Sequence, residues 1–252
     1  MKKHSGIFAA CAAVVLLAGT ACYFSGVPYY IKTKKEYAEV LSRHPADWKY
    51  ADKGILADGM ELTVNGVRLT VPKGMKQSVR SDGTTSENIY EIREDGRRVV
   101  LAMVAKPDDM GKMPLSQMDP RSEKELKSFL DTQGKEAPAD WASLQKLVFD
   151  LDLSDSVIHS YTKAGVQYYL AQLKEALLPD PAEEAYYCDN EQGRGLILIH
   201  APHDEIERYS ITLDLFSPDT PNQSQSAIVS AKDLDTAIKM ANSFTFVGTE
   251  PK

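Results

Sequence analysis

Cysteine is scarce in this chain: there are three in 252 residues, and Cys11 and Cys22 both fall in one apolar stretch near the N-terminus. Cys188 is left alone in everything that follows, so no internal disulfide framework is available there and packing has to hold it together. Its place after Tyr186 and Tyr187 in a strand-like run reads as a buried, inert thiol. A Gly-rich phosphate loop, a Cys-x-x-Cys pair and a Gly-x-Ser-x-Gly elbow are all missing. With them goes the sequence support for a nucleotide-binding loop, a dithiol redox centre and an α/β-hydrolase nucleophile. No fixed repeat period is visible, which argues against a solenoid. Positive charge is in the minority, 29 Lys and Arg against 36 Asp and Glu for a net charge of −7. All the acidic residues, and every basic one except Lys2 and Lys3, lie from residue 32 onward. That balance argues against nucleic acid or anionic lipid as the main partner.

Charge of either sign is absent from residues 6–27. As a helix this run is about 33 Å long, enough to cross a bilayer core of about 30 Å. Lys2, Lys3 and His4 precede it, Tyr23, Phe24, Tyr29 and Tyr30 cluster at its far end, and Pro28 is expected to end it. Residues 1–31 therefore read as a signal anchor with one transmembrane helix, and the membrane as a partner through 6–27. Two alternatives stay open: cleavage after a small residue near 18–21, and a lipoprotein acylated at Cys22, although Gly19 holds the place where a large aliphatic residue is wanted. The expected location is the cell membrane, single-pass, with the large domain outside the cytoplasm. Gly6/Ala10 and Ala9/Ala13 offer small-residue spacing for a homodimer through the anchor.

Residues 32–59 read as a juxtamembrane connector, with a short helix over 34–43 whose inner face is Tyr37, Val40 and Leu41. A globular domain is expected over 60–248 and a tail over 249–252. Its first hairpin pairs 60–64 with 67–71 across Asn65-Gly66, and a second pairs 89–94 with 97–105 across Asp95-Gly96. Residues 106–120 read as a loop. Ser122 and Glu125 form a capping box before Leu126, Phe129 and Leu130, with Gly134 as the stop. A second helix starts near Asp140. Strands are expected at 157–162, 166–173, 185–189, 196–200 and 208–216, followed by a polar loop over 217–226. A closing helix from Ser230 and a short strand at Phe244 and Phe246 complete the chain. The order of strands, two helices, strands and helix predicts an α+β fold, an antiparallel sheet with helices packed on it.

The stretch Val67-Arg68-Leu69-Thr70-Val71-Pro72-Lys73-Gly74-Met75 resembles the opening of PsbP-like domains. The closing helix followed by Ser243-Phe244-Thr245-Phe246 is similar to their C-terminal end. The resemblance implies a PsbP-like sandwich over roughly 60–248 and, since some members are membrane-tethered envelope proteins, a binding or assembly role in the cell envelope. It supplies no catalytic residues.

Four short motifs carry residue types that could do chemistry. Residues 147–154 resemble the first motif of haloacid-dehalogenase phosphatases, with Asp150 as nucleophile and Asp152 as acid/base, but Leu153-Ser154 replaces the Gly-Thr pair. The competing reading has residues 147–149 finishing a helix and the aspartates in the next loop. Asp150, Asp152 and Ser154 also fall short of a calcium loop, since Gly is missing at the sixth place. Ser143-x-x-Lys146 and Ser160-x-x-Lys163 match the Ser-x-x-Lys of penicillin-recognising enzymes without its companions. His200, His203 and Asp204, with Glu205 and Glu207 nearby, are weak candidate metal ligands; the competing reading is a polar hairpin tip shaped by Pro202. The leading expectation is a membrane-anchored, extracytoplasmic binding or assembly protein with a protein partner, no catalytic set and no cofactor. The alternatives are a hydrolase using Asp150/Asp152 and a metal- or small-ligand-binding protein around His200/His203.

Overall fold

The computed structural model describes residues 26–41, 43–153, 161–178, 184–190, 193–202 and 206–247. The chain resolves into two compact units, each drawn from three separate stretches.

The first unit takes in the described residues of Met1–His44, Lys112–Pro138 and Leu147–Leu178, and it is helical. Helix α1 (Val27–Glu36) starts after Gly26, whose φ of 83° suits a helix boundary. Pro28 therefore opens this helix instead of ending one, since a first-turn amide has no carbonyl to meet. The helix breaks at Tyr37 and resumes as α2 (Ala38–Leu41). Tyr29 and Tyr37 both meet Tyr168, with ring centroids 5.5 Å apart in each case. Helix α3 (Pro120–Thr132) buries Leu126, Phe129 and Leu130. Its cap is Asp119 and not Ser122: the Asp119 carboxylate accepts from the amides of Arg121 and Ser122 and from the Ser122 hydroxyl. Gly134, at φ 63°, and the bond from the Lys135 amide to the Leu130 carbonyl close the helix. Helix α4 (Trp141–Asp150) contributes its residues from Leu147 onward to this unit. Helix α5 (Tyr161–Leu177) occupies the place of two expected strands. Its buried Val166, Leu170, Ala171 and Lys174 recur at helical spacing, which Tyr168 and Tyr169 disguise as a strand pattern. Residues 157–160 of the first of those strands lie outside the described residues.

The second unit takes in the described residues of Pro45–Gly111, Ala139–Lys146 and Pro179–Lys252. Its strands are β1 (Ala46–Asp47), β2 (Met60–Val64), β3 (Val67–Val71), β4 (Lys76–Val79), β5 (Thr85–Glu94), β6 (Arg97–Val104) and β7 (Asp108–Asp109). After these come β8 (Glu184–Asn190), β9 (Gly193–His200), β10 (Tyr209–Ser217), β11 (Thr220–Ala231), helix α6 (Leu234–Asn242) and β12 (Thr245–Phe246). A nine-stranded sheet runs β1-β8-β9-β10-β11-β6-β5-β4, with β7 beside β11, and a three-stranded sheet runs β12-β3-β2. Asn65 and Gly66, at φ 50° and 80°, and Asp95 and Gly96, at 49° and 76°, make the two expected hairpin turns. The core joins Val67, Leu69 and Val71 of β3 to Ile211, Leu213 and Leu215 of β10, Val229 of β11, and Ala237, Ile238 and Met240 of α6.

The fold is α+β, and two parts of the expected class are corrected. The large sheet is mixed, because β1 runs parallel to β8, with Ala46 opposite Tyr186. Among the described residues no helix is long and apolar enough to cross a membrane. Residues 6–25 of the expected transmembrane span lie outside the described residues, and the helix that includes residue 27 runs on through Lys32, Lys34, Lys35 and Glu36. The expected polar loop over 217–226 falls largely in β11, because the backbone ladder to β10 is indifferent to Ser and Gln side chains and the buried Gln225 amide reaches the Ala105 carbonyl. The closing helix begins at Leu234 behind the Asp233 cap, leaving Ser230 in β11.

Candidate functional site

Most of the residues singled out for chemistry turn out to hold structure. Asp150 ends α4 and pairs with Lys135 at 3.1 Å, while Asp152 lies in the loop beyond. His44 Nδ1 donates to the Phe149 carbonyl at 2.5 Å, and Gln133 donates to that of Asp152 at 3.0 Å. Lys174 is fully buried, and its ammonium donates to the carbonyls of Leu41 at 3.3 Å and Leu151 at 2.9 Å. Burial pulls Lys174 down to about 8, against the opposing field of Asp152 and Asp150. The two aspartates therefore help to hold a buried lysine and the C-terminal end of α4. Ser143 serves the start of α4: its hydroxyl accepts from the amides of Ala139 and Asp140 and donates to the Asp140 carbonyl at 2.9 Å. Lys146 stands 5.3 Å from the Tyr187 ring centroid. Ser160 lies outside the described residues.

His200 ends β9, with Nε2 3.0 Å from the Thr212 hydroxyl. Its proposed companions His203 and Asp204, with Glu205, lie outside the described residues. Among the described residues no group of three His, Cys, Asp or Glu side chains is placed to hold a metal ion. Cys188 is buried on β8, and burial pushes its thiol up to about 11, as in an unreactive core cysteine.

The helical unit carries a different feature, a cleft of about 700 Å³. Three stretches build it: Tyr29 of α1; Gln117, Met118 and Asp119 with Arg121 and Ser122 of α3; and Thr162, Gly165, Val166 and Tyr169 of α5. The α5 residues share one face because they repeat at i, i+3, i+4 and i+7. Gly165 leaves room for the Tyr29 ring, since a methyl group there would stand 3.6 Å from it. The Tyr168 ring, three positions on along α5, packs against Tyr29, and Lys32 sits 4.8 Å over that same Tyr168. Tyr169 is half-buried, and burial raises its phenol above the usual value. Among the described residues its hydroxyl has no hydrogen-bond partner, and the exposed Arg121 guanidinium has no acidic one. The walls thus combine aromatic and aliphatic surface with a hydroxyl and a cation, and the volume falls in the range of ligand sites.

No known family model matches this chain, and no curated protein does either. Sequence reasoning missed the cleft because none of its residues forms a chemical motif. The available signal was the small Gly165 amid bulky neighbours on a helical face.

Proposed function

We propose that this chain is an extracytoplasmic binding or assembly protein of the cell envelope, and that its helical cleft receives a segment of a protein partner. The cleft carries this reading. It offers apolar walls from Tyr29, Met118, Val166 and Tyr169 for one side chain, and Arg121 beside them for an acidic neighbour. The engagement of Asp150 with Lys135 and of Ser143 with the start of α4 fits a structural role for those residues better than a catalytic one. The sequence resemblance to PsbP-like domains points the same way, and the basic, then charge-free pattern of the first 25 residues supports an extracytoplasmic location. The hydrolase and metal alternatives rest on the sequence alone.

The test is cross-linking in intact cells of a C-terminally tagged chain, followed by mass spectrometry of what co-purifies. Gly165→Ala, which fits beside Tyr29, is expected to keep the partner. Gly165→Phe, which fills the cleft, is expected to release it while the far-UV circular dichroism stays native. Equal recovery of the same partner by both variants would remove the cleft from the binding surface. Hydrolysis of a generic phosphate ester, lost in Asp150→Asn, would replace the binding reading with the hydrolase.

A further inference from the structure

At one end of the large sheet, independent of the helical cleft, a second pocket of about 420 Å³ is lined by Glu94, Asp95, Arg97, Arg98, Val99, Glu207, Arg208 and Lys232. The register brings them together. Glu94 pairs with Arg97 at the β5–β6 turn, while Tyr209 pairs with Ala231, so Arg208 and Lys232 leave β10 and β11 at the same end. Two ion pairs form at the rim, Arg97 with Glu207 at 3.3 Å and Lys232 with Glu94 at 2.5 Å, and the exposed Asp95 stands at the turn beside them. Both pairs are well exposed, with side chains 58–77% accessible, and so are weakly held.

Around the buried Glu91 the partly exposed arginines outnumber the carboxylate. Glu91 is 8% exposed and is shared by two guanidiniums, accepting Arg93 Nε at 2.8 Å and Arg98 Nε on its other oxygen, with the Ser78 hydroxyl at 2.9 Å. Arg208 comes third and finds only neutral acceptors among the described residues. Its Nε donates to the hydroxyl of the fully buried Ser230 at 3.1 Å, and its Nη1 to the Arg98 carbonyl at 3.2 Å. These two bonds use two of five N–H groups and fix the plane of the guanidinium, leaving the others for the pocket. Burial and the neighbouring Arg98 both lower the proton affinity of Arg208, as for a cation with no counter-ion among the described residues.

We propose that this pocket is a binding site for a single oxyanion group, a carboxylate or a phosphate, held by Arg208 with Arg98 beside it. The anion supplies the counter-charge that Glu91 cannot give to three arginines. Glu91 is a positioning residue here, since it turns Arg98 by its Nε and leaves the Nη groups for the ligand. A planar fork fixed at one edge favours an acceptor with two oxygens in one plane, which carboxylate and phosphate both offer.

The experiment uses the full chain and two probes, inorganic phosphate and acetate, each against chloride at equal ionic strength. Binding is read by the rise in melting temperature and by isothermal titration. A response to phosphate above chloride assigns the phosphate source, and a response to acetate assigns the carboxylate. Arg208→Gln is expected to weaken binding about tenfold or more. Arg208→Lys, which keeps the charge without the fork, is expected to fall between. Because Arg208 also bonds Ser230, a second variant guards against misfolding: exposed Glu207→Gln removes a rim negative charge and is expected to tighten binding by roughly two- to fivefold. The proposal is overturned if neither anion exceeds chloride, or if Arg208→Gln folds and binds as well as the parent. Should Arg208→Gln fail to fold, an unchanged affinity in Glu207→Gln overturns it.

Discussion

Lys174 places a full positive charge where no water reaches it, and the carbonyls it meets show why the chain tolerates that. Leu41 is the last residue of α2 and Leu151 follows the last of α4, so the ammonium sits at two helix C-termini, where carbonyls lack amide partners and the dipole is negative. Burial still pulls the side chain down to about 8, against 10.5 when unfolded. Below pH 8 it is charged in both states and contributes no pH dependence. Between about 8 and 10.5 the unfolded chain binds the extra proton, so Lys174 adds stability as pH rises through that window, at most about 3 kcal/mol. Urea unfolding of the parent and Lys174→Met at pH 7.5 and 9.5 checks this: the parent is expected to gain on the variant at the higher pH, and parallel curves would refute it. Glu91 works in the opposite direction. Burial pushes its carboxyl up, but Arg93, Arg98 and Ser78 together outweigh that and hold it near about 2, below the ordinary 4.5. Its contribution is present above pH 4.5 and is lost as pH falls toward 2. Glu91→Gln is expected to cost on the order of 3 kcal/mol at pH 7, and the gap to the parent is expected to close steadily in unfolding measurements from pH 5 to pH 2.

Among the elements, those signalled by local backbone chemistry were legible and those decided by tertiary partners were not. Asn65-Gly66 and Asp95-Gly96 announce their hairpins because few other pairs accept positive φ twice in succession. The stripe Leu126, Phe129, Leu130 announces α3, yet its first turn was misread because Asp119 and Ser122 both suit a cap, and only the structure shows Asp119 receiving the amides. Asp119→Ala is therefore expected to speed amide exchange at Arg121 and Ser122, which Ser122→Ala leaves protected. Helix α5 and strand β11 were lost for opposite reasons. A helix in which Val166 is followed by Tyr168 and Tyr169 carries a strand-like stretch at its centre, and a strand whose first half is Thr, Pro, Asn, Gln and Ser carries loop-like composition. Glycine gave a further signal that composition alone does not interpret. Gly195 has φ 154°, and an added methyl would fall 2.1 Å from the Asp214 carbonyl oxygen, in the rigid backbone of the neighbouring strand. Gly195→Ala is expected to destabilise the protein by about 2 kcal/mol or more in chemical denaturation, because β9 and β10 must part to admit it. Gly165→Ala, facing a ring with room to spare, is expected to be nearly neutral.

For the whole molecule, chain order and spatial order diverge, and this is why neither candidate site was visible beforehand. The cleft needs Tyr29, residues 117–122 and residues 162–169, and the anion pocket needs Arg98 and Arg208, 110 positions apart. A sequence motif reports neighbours along the chain, and these sites join stretches that lie far apart in it. The same interleaving predicts the result of truncation. Removing residues 1–44 takes away α1, α2 and the carbonyl of Leu41, which means Tyr29 and Tyr37 against Tyr168, one wall of the cleft and one of the two acceptors of Lys174. Every stretch of the sheet-bearing unit remains, since its first begins at Pro45. In a fragment of residues 45–252, amides of β9, β10 and β11 are therefore expected to keep their slow hydrogen exchange, while those of α3 and α5 exchange faster and helical circular dichroism falls by more than the deleted helices account for. Full protection of α5 in that fragment would mean that the helical unit does not depend on its first stretch.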